Sequence, residues 1–270
     1  MTDPRGALPQ AEIARLRDHA LAMADEARAV LRRFFAEGAS VGTKADTSYV
    51  TEADLTLERR LREMTAAAFP GHGVVGEEFG RHLPDAEFQW VFDPVDGTEE
   101  FVRRLPTFGS IIGLFFRGEP VVGVIELPAL EWRAEAAFGR GTFYNGARMR
   151  IADLDPATPA DKIRLTMSAR ANFTHYREDG HLFEAVTRAF PNQCIYRSCY
   201  AHLCAVTGAS DAALDVANPI WDTAAARILA EEAGGAFRVL QDFMAGDERI
   251  YSSAFGRPSI VARLAEIFAG

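Results

Sequence analysis

The sequence is short of cysteine, of histidine and of positive charge, and each shortage excludes a class of protein. The cysteines at 194, 199 and 204 are odd in number and evenly spaced, which fits neither a disulfide framework nor a zinc site. We therefore expect reduced thiols in a reducing compartment. The six histidines show no metal-ligand spacing. A net charge of -9 argues against a general nucleic-acid or membrane surface, since either would require a basic face.

Long apolar runs are missing as well. No stretch approaches the roughly 20 apolar residues that span a bilayer, and residues 1–10 lack the basic-then-apolar pattern of a signal peptide. We therefore expect a cytoplasmic protein. With 48% apolar and 25% charged residues, the 270-residue chain can bury a substantial core, as one domain or two closely packed halves.

One stretch in the first half of the chain has the pattern of a functional loop. Residues 90–92 are typical of a buried strand, and Pro94 is expected to end that strand because it has no backbone donor. Asp93 and Asp96 follow on a turn, where two carboxylates could serve as metal ligands.

The next residues predict a helix N-terminus beside these carboxylates. Gly97 allows a sharp bend, and Thr98 begins a segment with acidic residues in its first turn. A helix N-terminus next to metal ligands can hold a phosphate group. The alternative interpretation is ordinary turn chemistry, in which Asp93 or Thr98 only caps a helix.

The sequence Asp-Pro-Val-Asp-Gly-Thr at residues 93–98 resembles the signature of the inositol monophosphatase superfamily. These are magnesium-dependent, often lithium-sensitive phosphomonoesterases, and many are homodimers. The resemblance implies an α/β fold, layered as an αβαβα sandwich. Its N-terminal half, residues 1–152, would carry most of the metal ligands, and its C-terminal half would be residues 153–270. Residues 153–161, rich in Pro, Ala and Asp, are the best candidate for the boundary.

Three further elements of the superfamily pattern occur in the same order along the chain. They are Lys44, Asp46 and Thr51-Glu52-Ala53-Asp54; Gly76-Glu77-Glu78; and Trp221-Asp222 before an alanine-rich helix that extends to Glu232. Taken alone, the Glu-Glu pair would be a solvated turn and Asp222 an N-cap. The agreement of four separated elements favours the family.

The resemblance implies a metal-binding role for each matching residue, and it implies two or three Mg²⁺ ions. A first ion would be held by Glu77, Asp93 and the backbone carbonyl of Val95, and a second by Asp93, Asp96 and Asp222. Magnesium prefers oxygen ligands and keeps some of its water, so this set suffices. Asp46 would assist a more weakly held ion, and Glu78 would lie further out.

The implied catalytic residues are Glu77, Thr98 and Asp46. The Thr98 hydroxyl, bonded to a carboxylate such as Asp46, would orient the attacking water, while the amides of Gly97 and Thr98 bind the phosphate. No serine, cysteine or histidine nucleophile with a partner base is apparent, so we expect direct hydrolysis.

The substrate-binding candidates are less clearly indicated. Asp215 matches a family acid that contacts a substrate hydroxyl. Residues 197–202 are similar to the Asp-Cys-Tyr stretch of histidinol-phosphate phosphatases, although Ser198 replaces that aspartate. Glu99 also departs from that branch, and could itself attract a cationic substrate. Tyr200 and His202 either line the substrate opening or pack in the interior.

These patterns predict hydrolysis of a small phosphate monoester, such as an inositol monophosphate or histidinol phosphate, with no nucleic-acid or membrane partner. Two alternatives stay open. A nucleotide or bisphosphate phosphatase, acting on phosphoadenosine phosphate or fructose bisphosphate, would need basic residues at the opening, and Arg103 and Arg104 are the obvious pair. A catalytically idle binding paralogue would be expected to lack a metal carboxylate, and none is missing.

Overall fold

The computed structural model describes residues 3–44 and 49–270. The helices are α1 (Gln10–Glu37), α2 (Glu52–Ala68), α3 (Thr98–Val102), α4 (Arg170–His175), α5 (Gly180–Ala189), α6 (Ser198–Thr207), α7 (Ala226–Glu232) and α8 (Pro258–Ala269), with 3-10 turns at Pro4–Ala7 and Ala160–Lys162. The strands are β1 (Val41–Thr43), β2 (Tyr49–Thr51), β3 (Gly73–Gly76), β4 (Gly80–His82), β5 (Phe88–Asp96), β6 (Gly109–Phe116), β7 (Glu119–Leu127), β8 (Trp132–Ala137), β9 (Gly141–Tyr144), β10 (Ala147–Met149), β11 (Leu165–Met167), β12 (Gln193–Cys194), β13 (Ala212–Asn218), β14 (Ala236–Ala245) and β15 (Glu248–Gly256).

The first two helices have the local sequence features that favour helices. Apolar side chains of α1 recur at three- and four-residue steps and are buried, and the helix ends at Gly38 with a φ of 97°. At the start of α2, the Thr51 side chain accepts a hydrogen bond from the Ala53 amide, while Asp54 accepts one from the Thr51 amide. This capping box satisfies two amides that would otherwise lack partners.

Two main sheets alternate with three helical layers, and β1 and β2 form a separate two-stranded sheet. The larger sheet has the order β10-β9-β8-β7-β6-β5-β3-β4, and the smaller has the order β12-β11-β13-β15-β14. Helices α1 and α2 pack on one face of the larger sheet, α6 and α7 lie between the sheets, and α4, α5 and α8 pack outside the smaller one. The expected layered α/β sandwich is confirmed.

The core does not divide cleanly between the two expected halves. The larger sheet lies within residues 73–149 and the smaller within 165–256, which agrees with a change of sheet near residues 153–161. One core cluster nevertheless combines Ile111 of β6 with Leu203 of α6 and Ile228 of α7. The division at 152/153 therefore stays a prediction about organisation within one packed unit.

One predicted strand boundary is wrong. Strand β5 does not end at Pro94, because Asp93 still pairs with Ile111 and the ladder resumes at Asp96 opposite Gly109 after an irregularity. Proline is tolerated in such a bulge because no ladder donor is required there. In the smaller sheet, β14 extends from Ala236 to Ala245 and forms a hairpin with β15.

Two chain-wide expectations can be compared with the described residues. Cys194, Cys199 and Cys204 are free thiols. Within residues 3–44 and 49–270, no helix combines the length and the hydropathy needed to cross a membrane.

Candidate metal and phosphate site

Two parallel strands bring the first pair of predicted metal ligands together. Strand β3 runs parallel to β5 with Gly76 opposite Phe92, so Glu77 and Asp93 leave the same edge of the sheet. The Glu77 amide donates to the Phe92 carbonyl at 3.3 Å, and Asp93 is only 2% exposed. The sheet register therefore explains why residues 16 positions apart in sequence share one site.

Asp96 is held from the opposite side by the start of α6. Its carboxylate accepts a hydrogen bond from the Cys199 amide, which follows Ser198 at an unusual φ of 62°. Gly97 adopts a φ of 85°, and a Cβ there would lie 2.8 Å from the Ser198 hydroxyl. Only glycine fits this close approach without strain, and the strained Ser198 backbone directs the next amide at Asp96.

Asp222 approaches from the turn between β13 and α7. The helix begins at Ala226, four residues later, so Asp222 does not cap it and the N-cap interpretation is wrong. Burial, followed by the carboxyl groups of Asp96 and Glu77, raises the pKa of Asp222 well above its usual range.

The other carboxyl groups show the same mutual repulsion. Burial, and then the neighbouring acids Glu77, Asp96 and Asp222, raises the pKa of Asp93 well above its usual range. Burial also raises the pKa of Asp96 to about 6, while His202 and the Cys199 hydrogen bonds act in the opposite direction. Such like-charge pairs are stabilised when a cation lies among them.

The donor set fits a hard divalent cation. All four side chains offer carboxylate oxygens, and Oδ1 of Asp93 is buried without a hydrogen-bond partner among the described residues. In the described part of the chain, no three acidic, histidine or cysteine side chains already converge on one metal position. The carboxyl groups are thus close enough to repel one another, but they are not already arranged as a complete set of ligands around one metal position.

Lys44 supplies a positive charge beside this cluster. Its Nζ lies 2.5 Å from Glu77 Oε1 and 2.7 Å from Glu78 Oε1. The Glu78 side chain is 6% exposed, against 21% for Glu77, because the turn after β3 packs back onto α2. That Glu78 lies further from the metal than Glu77 stays a prediction.

The Thr98 hydroxyl lies near a carboxylate at the start of α2. Its hydroxyl lies 2.9 Å from the Val95 carbonyl and 3.3 Å from Asp54 Oδ1. The expected partner, Asp46, lies outside the described residues. Burial raises the pKa of Asp54 to about 7, against the opposing effect of its Thr51 hydrogen bonds. Because a carbonyl oxygen has two lone pairs, Val95 retains an acceptor site after bonding Thr98.

Most of the residues expected at the substrate side have partners within the protein. Glu99 lies 2.6 Å from the guanidinium of Arg197 and 2.9 Å from that of Arg103, so its charge is already compensated. His202 is buried against Asp215, at 2.5 Å between Nε2 and Oδ2. Tyr200 stacks on a tryptophan ring. The packing interpretation therefore applies to both Tyr200 and His202.

A cavity of about 330 Å³ opens next to Glu77. It lies between the turn after β3, the turn before α7 and the tip of the β14–β15 hairpin, and its lining includes Arg81, Trp221, Asp247 and Arg249. No sequence signal indicated the hairpin residues, because the hairpin reaches the site only through the pairing of the smaller sheet.

Comparison with known proteins agrees with this geometry. The model of the inositol monophosphatase family matches residues 12–255. A histidinol-phosphatase from Mycobacterium tuberculosis is 36% identical over 80% of this chain and 84% of its own length, and one from Chlorobaculum parvum is 30% identical over 90% and 94%. The structure of an inositol monophosphatase from Zymomonas mobilis superposes with a TM-score of 0.79 at 25% identity, covering 94% of this chain and 97% of the other. The chain therefore belongs to the inositol monophosphatase family.

Proposed function

We propose that this phosphatase hydrolyses the phosphate monoester of a small polar alcohol with Mg²⁺, and that histidinol phosphate or an inositol monophosphate is its substrate. The observation that carries the proposal is the meeting of four acids from three separate parts of the chain, namely Glu77 after β3, Asp93 and Asp96 on β5, and Asp222 before α7, with one buried carboxylate oxygen left without a partner among the described residues. A purely structural core has no reason to collect four mutually repelling acids.

Each carboxylate has a distinct role in this proposal. Glu77, Asp93 and the Val95 carbonyl hold one Mg²⁺, and Asp93, Asp96 and Asp222 hold a second. Bound magnesium supplies positive charge to the phosphate oxygens and lowers the pKa of a coordinated water. Asp46 is proposed to assist a third, weaker ion.

Thr98 and its carboxylate partner orient the attacking water. When the Thr98 hydroxyl donates to Asp54, which lies 3.3 Å away, its own lone pairs are left to accept a hydrogen bond from water. The amides of Gly97 and Thr98 bind phosphate oxygens. Direct attack then requires only that the water stay in line with the leaving alkoxide.

The alcohol part of the substrate occupies the cavity beside Glu77. Its lining combines the flat Trp221 ring with the acids Glu77, Asp247 and Glu248 and with two arginines, so acidic groups outnumber basic ones. This balance suits a polyol or an amine better than a second phosphate. The two histidinol-phosphatase relatives support the same preference.

The bisphosphate alternative loses its main support. Arg103 pairs with Glu99, and Arg104 donates to the backbone carbonyl of Phe35, so both members of the basic pair have partners. These contacts hold the two guanidinium groups against Glu99 and Phe35, which are not among the proposed metal ligands.

Phosphate release from a panel of esters tests the proposal. The panel contains histidinol phosphate, inositol 1-phosphate, phosphoadenosine phosphate and fructose 1,6-bisphosphate, each with Mg²⁺, with Mg²⁺ and Li⁺, and with a chelator. We expect the largest kcat/KM for one of the first two, abolished by the chelator and lowered by lithium. No Mg²⁺-dependent release from any ester would contradict the proposal and favour the idle paralogue.

The resemblance also supports a homodimer in a reducing cytoplasm as part of this proposal. Light scattering at several protein concentrations tests the assembly, with a mass near 59 kDa expected for a dimer of the 29.6 kDa chain, about 2 × 29.6 kDa.

A further inference from the structure

A buried glutamate on α2 contacts the backbone on both sides of Glu77. Glu58 is 0% exposed, and its carboxylate accepts hydrogen bonds from the amides of Glu78 at 2.7 Å and Phe79 at 3.1 Å. Arg62 donates to the same carboxylate at 2.8 Å and, with its other nitrogen, to the Gly80 carbonyl at 2.5 Å. One ion pair thus holds three consecutive positions of the turn after β3.

The residue before Glu77 is Gly76, and its lack of a side chain leaves room for the Glu58 carboxylate. A Cβ added at Gly76 would lie 2.0 Å from Glu58 Oε1, so the strand end packs directly on the carboxylate. Glu77 itself donates its amide to the Phe92 carbonyl. The backbone is therefore fixed before, at and after Glu77, and this limits the directions in which its side chain can point.

The energetic cost of burying the Glu58 carboxylate also favours a role other than packing. A buried carboxylate is costly unless it is fully hydrogen-bonded, and hydrogen bonds to an ionised acceptor are about twice as strong as neutral ones. For Glu58, hydrogen bonds from two amides and a guanidinium offset the cost of burying the charge. The amides belong to the turn that carries Glu77 and Glu78.

We propose that Glu58 is a positioning residue for the metal site: its carboxylate clamps the turn after β3 so that Glu77 meets Asp93 in one orientation. The inference rests on the proposed function, in which Glu77 is a magnesium ligand. The hydrogen bonds of the Glu58 carboxylate go to this turn and to Arg62. Partners of this kind, one shell behind the ligands, commonly change metal affinity 10–100-fold when they are replaced.

The test compares Glu58→Gln with Glu126→Gln. Glu126 is the matched control because it too is 0% exposed and bound by arginines, Arg28 and Arg133, but it lies on β7 and bonds no part of the turn. Two quantities are measured on the full-length protein: hydrogen exchange of the Glu78 and Phe79 amides without metal, and the Kd for Mg²⁺ by calorimetry. Near-ultraviolet circular dichroism verifies folding.

For Glu58→Gln we expect at least about tenfold faster exchange at these two amides and a Mg²⁺ Kd raised by about 10-fold or more. For Glu126→Gln we expect both quantities to stay within about twofold of wild type, even where its overall stability falls. Unchanged Mg²⁺ affinity in Glu58→Gln, or an equal loss in Glu126→Gln, would overturn the inference. Absence of Mg²⁺ binding in the wild type would overturn the proposed function instead, and the exchange data would still decide whether Glu58 clamps the turn.

A second pair of variants keeps the test decisive if Glu58→Gln does not fold. Gly76→Ala introduces a Cβ 2.0 Å from the Glu58 carboxylate and displaces it without changing its charge. Gly71→Ala is the control, because a Cβ there meets no atom within 4 Å. Weaker Mg²⁺ binding in the first variant alone supports the inference, and unchanged binding and exchange in both would overturn it.

Discussion

His202 and Asp215 form a buried pair between α6 and β13, with 2.5 Å between His202 Nε2 and Asp215 Oδ2. His202 is 3% exposed and meets the ring of Phe255 edge-on at 5.1 Å. Burial lowers the pKa of His202, but the Asp215 carboxylate outweighs this and the net shift is upward. The imidazolium form is therefore favoured, and it fixes the one carboxylate that the resemblance assigns to a substrate hydroxyl.

His202→Leu should lower the free energy of unfolding at pH 6 by about 3 kcal/mol, because Asp215 is left buried without its partner. Urea denaturation measures this loss. The double variant His202→Leu with Asp215→Leu should recover most of it, since no unpaired charge remains. A double variant no more stable than the single one would contradict the pairing.

The same pair predicts a pH dependence with a definite sign. Since the pKa of His202 is raised above the unfolded value of about 6.5, its stabilisation is complete below that pH and is lost as the pH rises through the folded pKa. The difference in unfolding free energy between wild type and His202→Leu should therefore shrink between pH 6 and pH 9. A difference that grows with pH would contradict the assignment.

Asp93→Asn should reduce turnover to less than about a hundredth of wild type, because it removes a ligand shared by both proposed ions. The metal-free variant should be at least as stable as wild type at pH 8, since burial and neighbouring acids already disfavour the Asp93 charge. Phosphate release measures the turnover. Thermal unfolding with and without Mg²⁺ measures the stability, and the ion should raise Tm only in wild type. Retention of more than about a tenth of the rate would exclude so central a role.

Thr98→Ala should lower kcat by about 100-fold, because the water loses the hydroxyl that orients it, while the Kd for Mg²⁺ stays near the wild-type value. Thr98→Ser keeps the hydroxyl that lies 2.9 Å from the Val95 carbonyl and should stay within about tenfold of wild type. Steady-state kinetics with titrated Mg²⁺ separate the two effects. Equal kcat values for the alanine and serine variants would remove Thr98 from the mechanism.

His72 should make the protein less stable in mild acid. It stacks between Phe69 and Phe88 at 4.6 and 4.5 Å, and its Nδ1 accepts a hydrogen bond from the Trp90 indole at 3.1 Å. Burial lowers the pKa of His72 to about 4. Because the folded pKa lies below the unfolded one, stability is complete above about pH 6.5 and falls as the pH drops toward 4.

His72→Gln keeps an acceptor for the indole and cannot ionise, so urea denaturation between pH 7 and 4 should show a flatter stability curve than wild type. His181→Gln, at an exposed position of α5, serves as the control and should follow the wild-type curve. Identical acid dependence in all three proteins would show that His72 does not titrate as described.

The local patterns were predictable because they depend on neighbours in sequence. Helix α1 follows from apolar spacing, and the cap of α2 follows from Thr51 and Asp54, three residues apart. The resemblance places Glu77, the pair Asp93 and Asp96, and Asp222 on three separate segments, and the structure brings them together at one edge of the larger sheet. Their roles as metal ligands stay predictions.

The contacts that could not be predicted from the sequence are those between distant segments. Glu58 precedes two arginines on α2 and has the pattern of a solvent-facing charge, yet it is buried because the turn after β3 covers it. Glu99 pairs with Arg197, which lies 98 residues away in the sequence. Ser198 replaces an aspartate of the histidinol-phosphatase branch, and only its strained φ shows that its position serves the adjacent Cys199 amide.

The sequence by itself determined the helical periodicity, the cap of α2 and the loops on which the acidic residues lie, because these follow from local propensity and short-range spacing. Only the tertiary structure decided which carboxylates face one another, which are neutralised by arginine or histidine and which stay without a partner. The physical reason is that burial and charge compensation arise between segments tens of residues apart, where sequence spacing carries no information about distance.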